Sequence, residues 1–406
     1  MVFETHTLSN GIRLIHRPVN ANVAHCGIIL NTGSRDENEE EWGIAHFIEH
    51  VVFKGTTKRK AYHILSRMED VGGELNAYTT KEETCIYSTF LDKDYQRALE
   101  LISDITFNSV FPEKELGKEK EIVLDEINSY KDSPSELIFD DFEELIFKQD
   151  PIGRNILGTP KHIKAFKRDD ILNFLRNNYH TDQMVISSVG NIEFKKLIKI
   201  VEKHFGHIPE NIRTNKRVKP NSYIPRAQTL IKNTYQRHCI LGNIAYDLND
   251  ERRIPLSLLT NILGGPGMNS RLNLTLREKH GLAYNIESNY TPYADTGVFS
   301  IYFGTDKEYL DRCLRLIYKE LDLLCTKKLG AGQLKRAKNQ MIGQIAISSE
   351  NNENLMLSVG KSFLLYNRVD SLKEIYEKVE LITSEELLEI ANEILNKDRL
   401  TTLMYK

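Results

Sequence analysis

Two histidines and a glutamate fall within five residues, His46-Phe-Ile-Glu-His50, and no other stretch of this chain is better suited to chemistry. On a helix, residues four apart lie about one turn apart on one face, so both imidazoles could grip one ion. Glu49 follows His46 by three and falls on the same side, the inverse of the familiar zinc-protease order. Imidazoles with one carboxylate suit zinc and leave a fourth position for water. Zinc would lower the pKa of that water toward about 7 and polarise a peptide carbonyl. The carboxylate beside it could take the proton and later pass it to the leaving amine.

So short a pattern also arises by chance, on a surface helix with solvated histidines. Here Gly43, Ile44, Ala45, Phe47, Ile48, Val51 and Val52 make the surroundings apolar. Burying two imidazoles and a carboxylate without partners would be costly, so a metal explains them better. A third ligand is needed. Glu119 and Glu126 are seven apart, nearly two helical turns, and face one way beside Ile122, Val123 and Ile127. Glu126 could ligate while Glu119 orients an imidazole. Charged helices usually expose such glutamates, so spacing alone leaves this open.

The elements that position these residues read as an α+β chain. Phe3 to Val19 gives two strands around Asn10-Gly11, and Val23 to Leu30 a third. Helices are expected at about Trp42–Phe53 and Ala61–Val71, then strands at Glu74–Thr79 and Thr84–Leu91. Helices at about Lys93–Asn108, Pro112–Tyr130, Ser135–Phe147 and Asp169–Asn178 precede a strand at Gln183–Val189 and a helix at Phe194–Phe205. Pro209, Pro220 and Pro225 mark a linker. The order then repeats: strands near Thr229–Asn233 and Cys239–Tyr246, helices at about Arg252–Leu263 and Ser270–His280, and strands at Ala283–Tyr290 and Gly297–Phe303. Further helices run to Asn396 before a last strand at Leu400–Tyr405. This predicts two duplicated α/β sandwich domains, each a mostly antiparallel sheet covered by helices, rather than a parallel βαβ sheet. The expected division is 1–210, a linker at 211–226, and 227–406.

The whole chain narrows the function further. It has 406 residues, too many for one ordinary core. With 40% hydrophobic and 27% charged residues and a net charge of -3, it has a globular composition and no basic field for nucleic acid. No apolar run is long enough to span a membrane and no secretory signal is visible, so a cytoplasmic location is expected. The five cysteines are scattered and never spaced Cys-x-x-Cys, which suits buried reduced thiols and not a metal site.

Taken together, these residues resemble the inverzincin peptidases of the pitrilysin/insulysin family, in the half-length branch that includes the mitochondrial processing peptidase. His46-Phe-Ile-Glu-His-Val-Val-Phe-Lys-Gly-Thr56 is similar to the family's metal helix, and Leu75-Asn-Ala-Tyr-Thr79 to its strand. Glu119 and Glu126 match its acidic helix. Pro151-Ile-Gly-Arg-Asn-Ile-Leu-Gly158, Ser270-Arg-Leu and Leu276-Arg-Glu-Lys-His-Gly-Leu-Ala-Tyr284 extend the likeness over nearly the whole chain.

The resemblance implies one zinc per chain on His46, His50 and Glu126, with Glu49 as base and Glu119 in support. It implies that Asn76, Ala77 and Tyr78 offer a strand edge to an extended peptide. Phe53 would line the pocket just past the scissile bond, although a core aromatic is the plainer reading. Arg277 and Tyr284 would hold a substrate carbonyl. Glu136 and Asp140, four apart, would favour a basic residue near the cleavage site, against the plainer reading of a solvated acidic face. Gly264-Gly-Pro-Gly267 resembles a shortened glycine-rich loop of the processing enzyme's non-catalytic subunit.

The expected function is therefore a zinc endopeptidase enclosing extended or unfolded peptides, as a homodimer or a heterodimer with a degenerate homologue. The alternative is a non-catalytic scaffold or regulatory subunit of the same fold, against which the intact Glu49 argues. A purely structural zinc would want a fourth protein ligand, and none is near in sequence.

Overall fold

The computed structural model describes residues 3–220 and 223–406, so Met1, Val2 and two residues of the expected linker, Asn221 and Ser222, lie outside it. Eleven strands occur among the described residues. They are β1 (Glu4–Thr7), β2 (Arg13–Pro18), β3 (Val23–Leu30), β4 (Glu74–Thr79), β5 (Thr84–Leu91), β6 (Met184–Gly190), β7 (Ala227–Leu230), β8 (Arg237–Ile244), β9 (Ala283–Pro292), β10 (Gly297–Thr305) and β11 (Thr401–Tyr405).

They form two sheets, ordered β1-β2-β6-β3-β5-β4 and β7-β11-β8-β10-β9. From β2 in the first sheet and from β7 in the second, the pairings run alike. One parallel contact is followed by three antiparallel ones. Each sheet therefore takes its strands in the same chain order, which is the expected duplication. β4 and β9 are the corresponding sheet edges.

Alternation explains the strands. In β3 the residues Ala24, Cys26 and Ile28 enter a core with Phe90, Leu99 and Ile102. Ile29 on the opposite face joins Cys85, Val185 and Met356. Both faces are buried, so β3 reads as a nearly continuous apolar run.

The compact units are not contiguous halves. The first comprises Met1–Asn128, Arg154–Arg217 and Ala346–Ser371. The second comprises Ser129–Gly153, Val218–Ile345 and Leu372–Lys406. Helix Pro134–Ile146, from the first half of the sequence, packs on β8 and β11. Helix Asn352–Tyr366, from the second half, packs on β6 and β3. There Ser187 Oγ donates to the Met356 carbonyl at 2.6 Å, and a Cβ on Gly360 would lie 2.7 Å from Ser187 Cβ. Glycine is what lets that helix approach.

This corrects the division at 210 and 226. A helix's apolar stripe says that it must be covered, not which sheet covers it. The expected linker is corrected as well. Arg213 and Arg217 reach Asp36 at 2.8 and 2.7 Å, which fastens residues up to 217 to the first unit. Local structure differs too. The expected helix Ser270–His280 contains a π-helical stretch, Asn273–Glu278, and the strand expected at Thr229–Asn233 is Ala227–Leu230.

Candidate metal centre and active site

The histidine helix, Ile44–Val51, is shorter than the expected Trp42–Phe53, and its start is fixed by its surroundings. Gly43 at its N-terminus has φ 94°, a conformation glycine adopts without penalty. A Cβ there would meet Gly158 Cα at 2.7 Å. Glu37, almost fully buried, accepts from the Gly43 and Ala45 backbone N–H groups, each at 2.9 Å. It thereby satisfies donors that a helix start leaves open. Burial pushes the Glu37 carboxyl up to about 8, against those two donors and Arg154, which favour the charged form.

The stretch Arg154–Gly158 braces the same end. Asn155 accepts from Trp42 Nε1 at 2.7 Å, and Arg154 lies over the Trp42 ring. On the inner face Ile44, Phe47, Ile48 and Val51 join Phe111, Val123, Ile127 and Phe174. Burying each such side chain contributes about 1.5–3 kcal/mol, enough to hold the helix in place.

The polar side of this helix meets the acidic helix, Glu113–Lys131. Glu126 Oε2 lies 3.3 Å from His50 Nε2, and Oε1 lies 3.7 Å from His46 Nε2. One ligand atom from each of the three residues can be chosen so that all lie within 4.8 Å of one another. These gaps are longer than good hydrogen bonds. They resemble the separation of about 3.3 Å between two ligands on one tetrahedral ion with bonds of about 2.0–2.1 Å. Two imidazoles and a carboxylate are also a donor set that suits zinc. The residues present therefore fit a zinc ion.

The electrostatics divide the two imidazoles. Burial, with the His50 charge, pushes His46 down to about 4, opposed by Glu126. Burial also opposes charge on His50, but Glu126, Glu49 and Glu119 outweigh it and raise its pKa. Glu126 is held below the usual range, chiefly by the nearby His50 imidazole. Glu119 is 3% exposed, with Oε2 3.5 Å from His50 Nδ1 and Oε1 2.8 Å from Lys54 Nζ.

Glu49 is half-buried beside this cluster, and burial raises its pKa while Thr79 and His50 hold it down. Thr79 ends β4, whose outer edge has no strand partner among the described residues. Asn76 is exposed, Ala77 and Tyr78 half-buried. Tyr78 points its hydroxyl at Glu83, 3.1 Å away, so what β4 leaves open at its edge is backbone. Phe53 is partly buried against the core that includes Ile64 and Met68, where the plainer reading placed it.

The remaining expected residues belong to the second unit. The Arg277 guanidinium lies 4.5 Å from the centre of the Tyr284 ring, and Tyr284 is 73% exposed. Arg277 sits in the π-helical stretch, a distortion often found at functional sites. On helix Pro134–Ile146, Glu136 is exposed and Asp140 half-buried, and Asp140 bonds to Tyr130. Sequence reasoning missed Glu37 and Lys54. The only signal for Lys54 was its place four residues after His50.

The family model for insulinase, peptidase family M16, matches residues 14–160, and that for the peptidase M16 inactive domain matches 165–341. An uncharacterized zinc protease of Bacillus subtilis, YmxG, is 34% identical over 98% of this chain and 97% of its own. The chain belongs to peptidase family M16. An uncharacterized zinc protease of Rickettsia bellii is likewise 34% identical to this M16 chain, over 97% of it and 95% of its own length.

Two solved structures share the M16 fold. A protease from Helicobacter pylori has a TM-score of 0.92 at 22% identity, over 100% of this chain and 99% of that one. A peptidase M16 inactive domain from Pseudomonas fluorescens has a TM-score of 0.93 at 20% identity, over 100% and 98%. Among the described residues no helix is long and apolar enough to cross a membrane.

Proposed function

We propose that this M16 chain is a zinc-dependent endopeptidase acting on extended or unfolded peptides. The observation that carries this reading is the spacing of His46, His50 and Glu126 as ligands of one ion, with Glu49 beside them. Bound zinc would polarise a peptide carbonyl and bring the pKa of a coordinated water toward about 7. His46 and His50 offer their Nε2 atoms and Glu126 its carboxylate. Glu49, with proton affinity raised by burial, suits the work of taking a proton on its carboxylate and passing it to the leaving amine. The open edge of β4, ending at Thr79 beside Glu49, would bind the peptide backbone by strand addition.

In this reading Phe53 lines the site, and Arg277 with Tyr284 holds a substrate carbonyl, supplied by a second copy of the chain or a degenerate homologue. Glu136 and Asp140 favour a basic residue near the scissile bond. The enzyme works in the cytoplasm on peptides small or unfolded enough to be enclosed.

The alternative of a non-catalytic scaffold finds a foothold in the name of the model matching 165–341. That match contains none of His46, Glu49, His50 or Glu126, so it leaves the case for catalysis in the first unit untouched. The test uses quenched-fluorescent peptides with and without a basic residue. Chelation should abolish cleavage and added zinc restore it, with the basic peptides cut faster. Cleavage that survives chelation with zinc removed would sink the reading.

A further inference from the structure

Glu119 has two oxygens with different duties. Oε1 lies 2.8 Å from Lys54 Nζ, and Oε2 faces His50 Nδ1 at 3.5 Å. The other nitrogen of the same ring, Nε2, faces Glu126 at 3.3 Å. Lys54, Glu119, His50 and Glu126 thus form a continuous line that ends at the ligand cluster. A carboxylate as buried as Glu119 is costly without a counter-charge. Among the described residues Lys54 is its one lysine or arginine partner. Nearby Glu115, which also feels Lys54, has its own bond to Lys118 at 2.8 Å.

We propose that Lys54 is a positioning residue for the metal site. Its ammonium holds one oxygen of Glu119, which keeps the other oxygen on His50 Nδ1 and the His50 Nε2 atom aimed at the metal. Without Lys54 the Glu119 carboxylate can turn toward other donors, and the imidazole loses its restraint. This rests on the zinc reading above. It also makes a prediction of sign. If Lys54 acted only as a nearby positive charge, its removal would tighten binding of a cation. As a positioning residue, its removal weakens binding.

The test is zinc affinity of the full-length protein, measured by competition with a chromophoric chelator, with folding followed by circular dichroism. Lys54→Met should weaken zinc about 10–100-fold, the usual effect of losing an outer partner of a ligand. Lys54→Arg, which keeps the charge and a donor, should recover most of the loss. In a Glu119→Gln background, Lys54→Met should add little, because both act through one contact. Unchanged or tighter zinc in Lys54→Met, or a loss fully additive with Glu119→Gln, would overturn the proposal. Should Lys54→Met fail to fold, Lys54→Gln takes its place, with the same weakening expected and the same contrary result. Failure of the zinc reading looks different: Glu126→Gln would then bind zinc as tightly as wild type. Failure of this proposal alone leaves Glu126→Gln impaired and Lys54→Met normal.

Discussion

The two units use the same arrangement of two helices to different ends. In the first, the histidine helix faces Glu126, the fourteenth residue of the 19-residue helix Glu113–Lys131. In the second, helix Arg253–Gly264 faces Gln344, the fourteenth residue of the 19-residue helix Ala331–Ser349. There Asn261 Nδ2 donates to Gln344 Oε1 at 3.0 Å, a direct amide–amide hydrogen bond. In the first unit the donors stand 3.3 and 3.7 Å apart. The scaffold alone therefore does not make a metal centre. Two neutral amides meet in a direct hydrogen bond, whereas imidazoles and a carboxylate at these gaps are spaced for an ion between them.

The largest expected effect separates the two junctions outright. Glu126→Gln should cut zinc affinity by more than about 100-fold, because a ligand and its charge are both lost. Gln344→Ala should leave zinc content, measured by elemental analysis, at one per chain. Equal metal loss in both variants would break the comparison.

A second contrast lies at the helix starts. The histidine helix is capped by a remote buried carboxylate, Glu37, while Arg252 at the start of the second unit's helix makes no side-chain cap bond. Glu37→Ala should cost about 1–3 kcal/mol in denaturant unfolding, the usual result of stranding buried donors. It should also weaken zinc, since the proposed ligands His46 and His50 ride on that helix. Unchanged stability would show that the cap is dispensable.

The sheets also bury one histidine each. His16 in β2 bonds Ser188 at 3.1 Å, and His238 in β8 bonds Tyr302 at 2.9 Å. Burial lowers both, His16 to about 4. Between about 6.5 and 4 the unfolded chain binds more protons at this residue than the folded one. Stability from a neutral His16 is therefore present above about 6.5 and lost as pH falls through about 4. The loss amounts to about 3 kcal/mol. Melting of zinc-free protein should accordingly flatten over that window in His16→Asn. A variant with the wild-type pH slope would contradict this account. The smallest effect belongs to Gln344→Ala, about 1 kcal/mol of stability from one half-buried amide bond.

Much of this was legible in the sequence because it is local. β3, β4, β5 and helix Phe194–Phe205 have the expected bounds, since alternation and helical periodicity set them directly. His46, Glu49 and His50 share a helix, so their spacing carried the site. Spacing alone leaves Glu126 open, because a charged helix usually exposes its glutamates, and only the likeness to the family's acidic helix points to it. Glu37 lies in a loop six residues before Gly43, where no helical period points to it. The exchange of helices Pro134–Ile146 and Asn352–Tyr366 was invisible because amphipathicity names no partner. The Asn261–Gln344 pair was invisible because neutral amides 83 residues apart carry no pattern.

The most direct measurement of the central claim is peptide cleavage by Glu49→Gln, with zinc content determined on the same sample. The Glu49→Gln protein should retain one zinc per chain and cleave more slowly by about two to four orders of magnitude, the usual contribution of a positioned proton carrier. A variant that keeps its zinc and cleaves at the wild-type rate would contradict that claim.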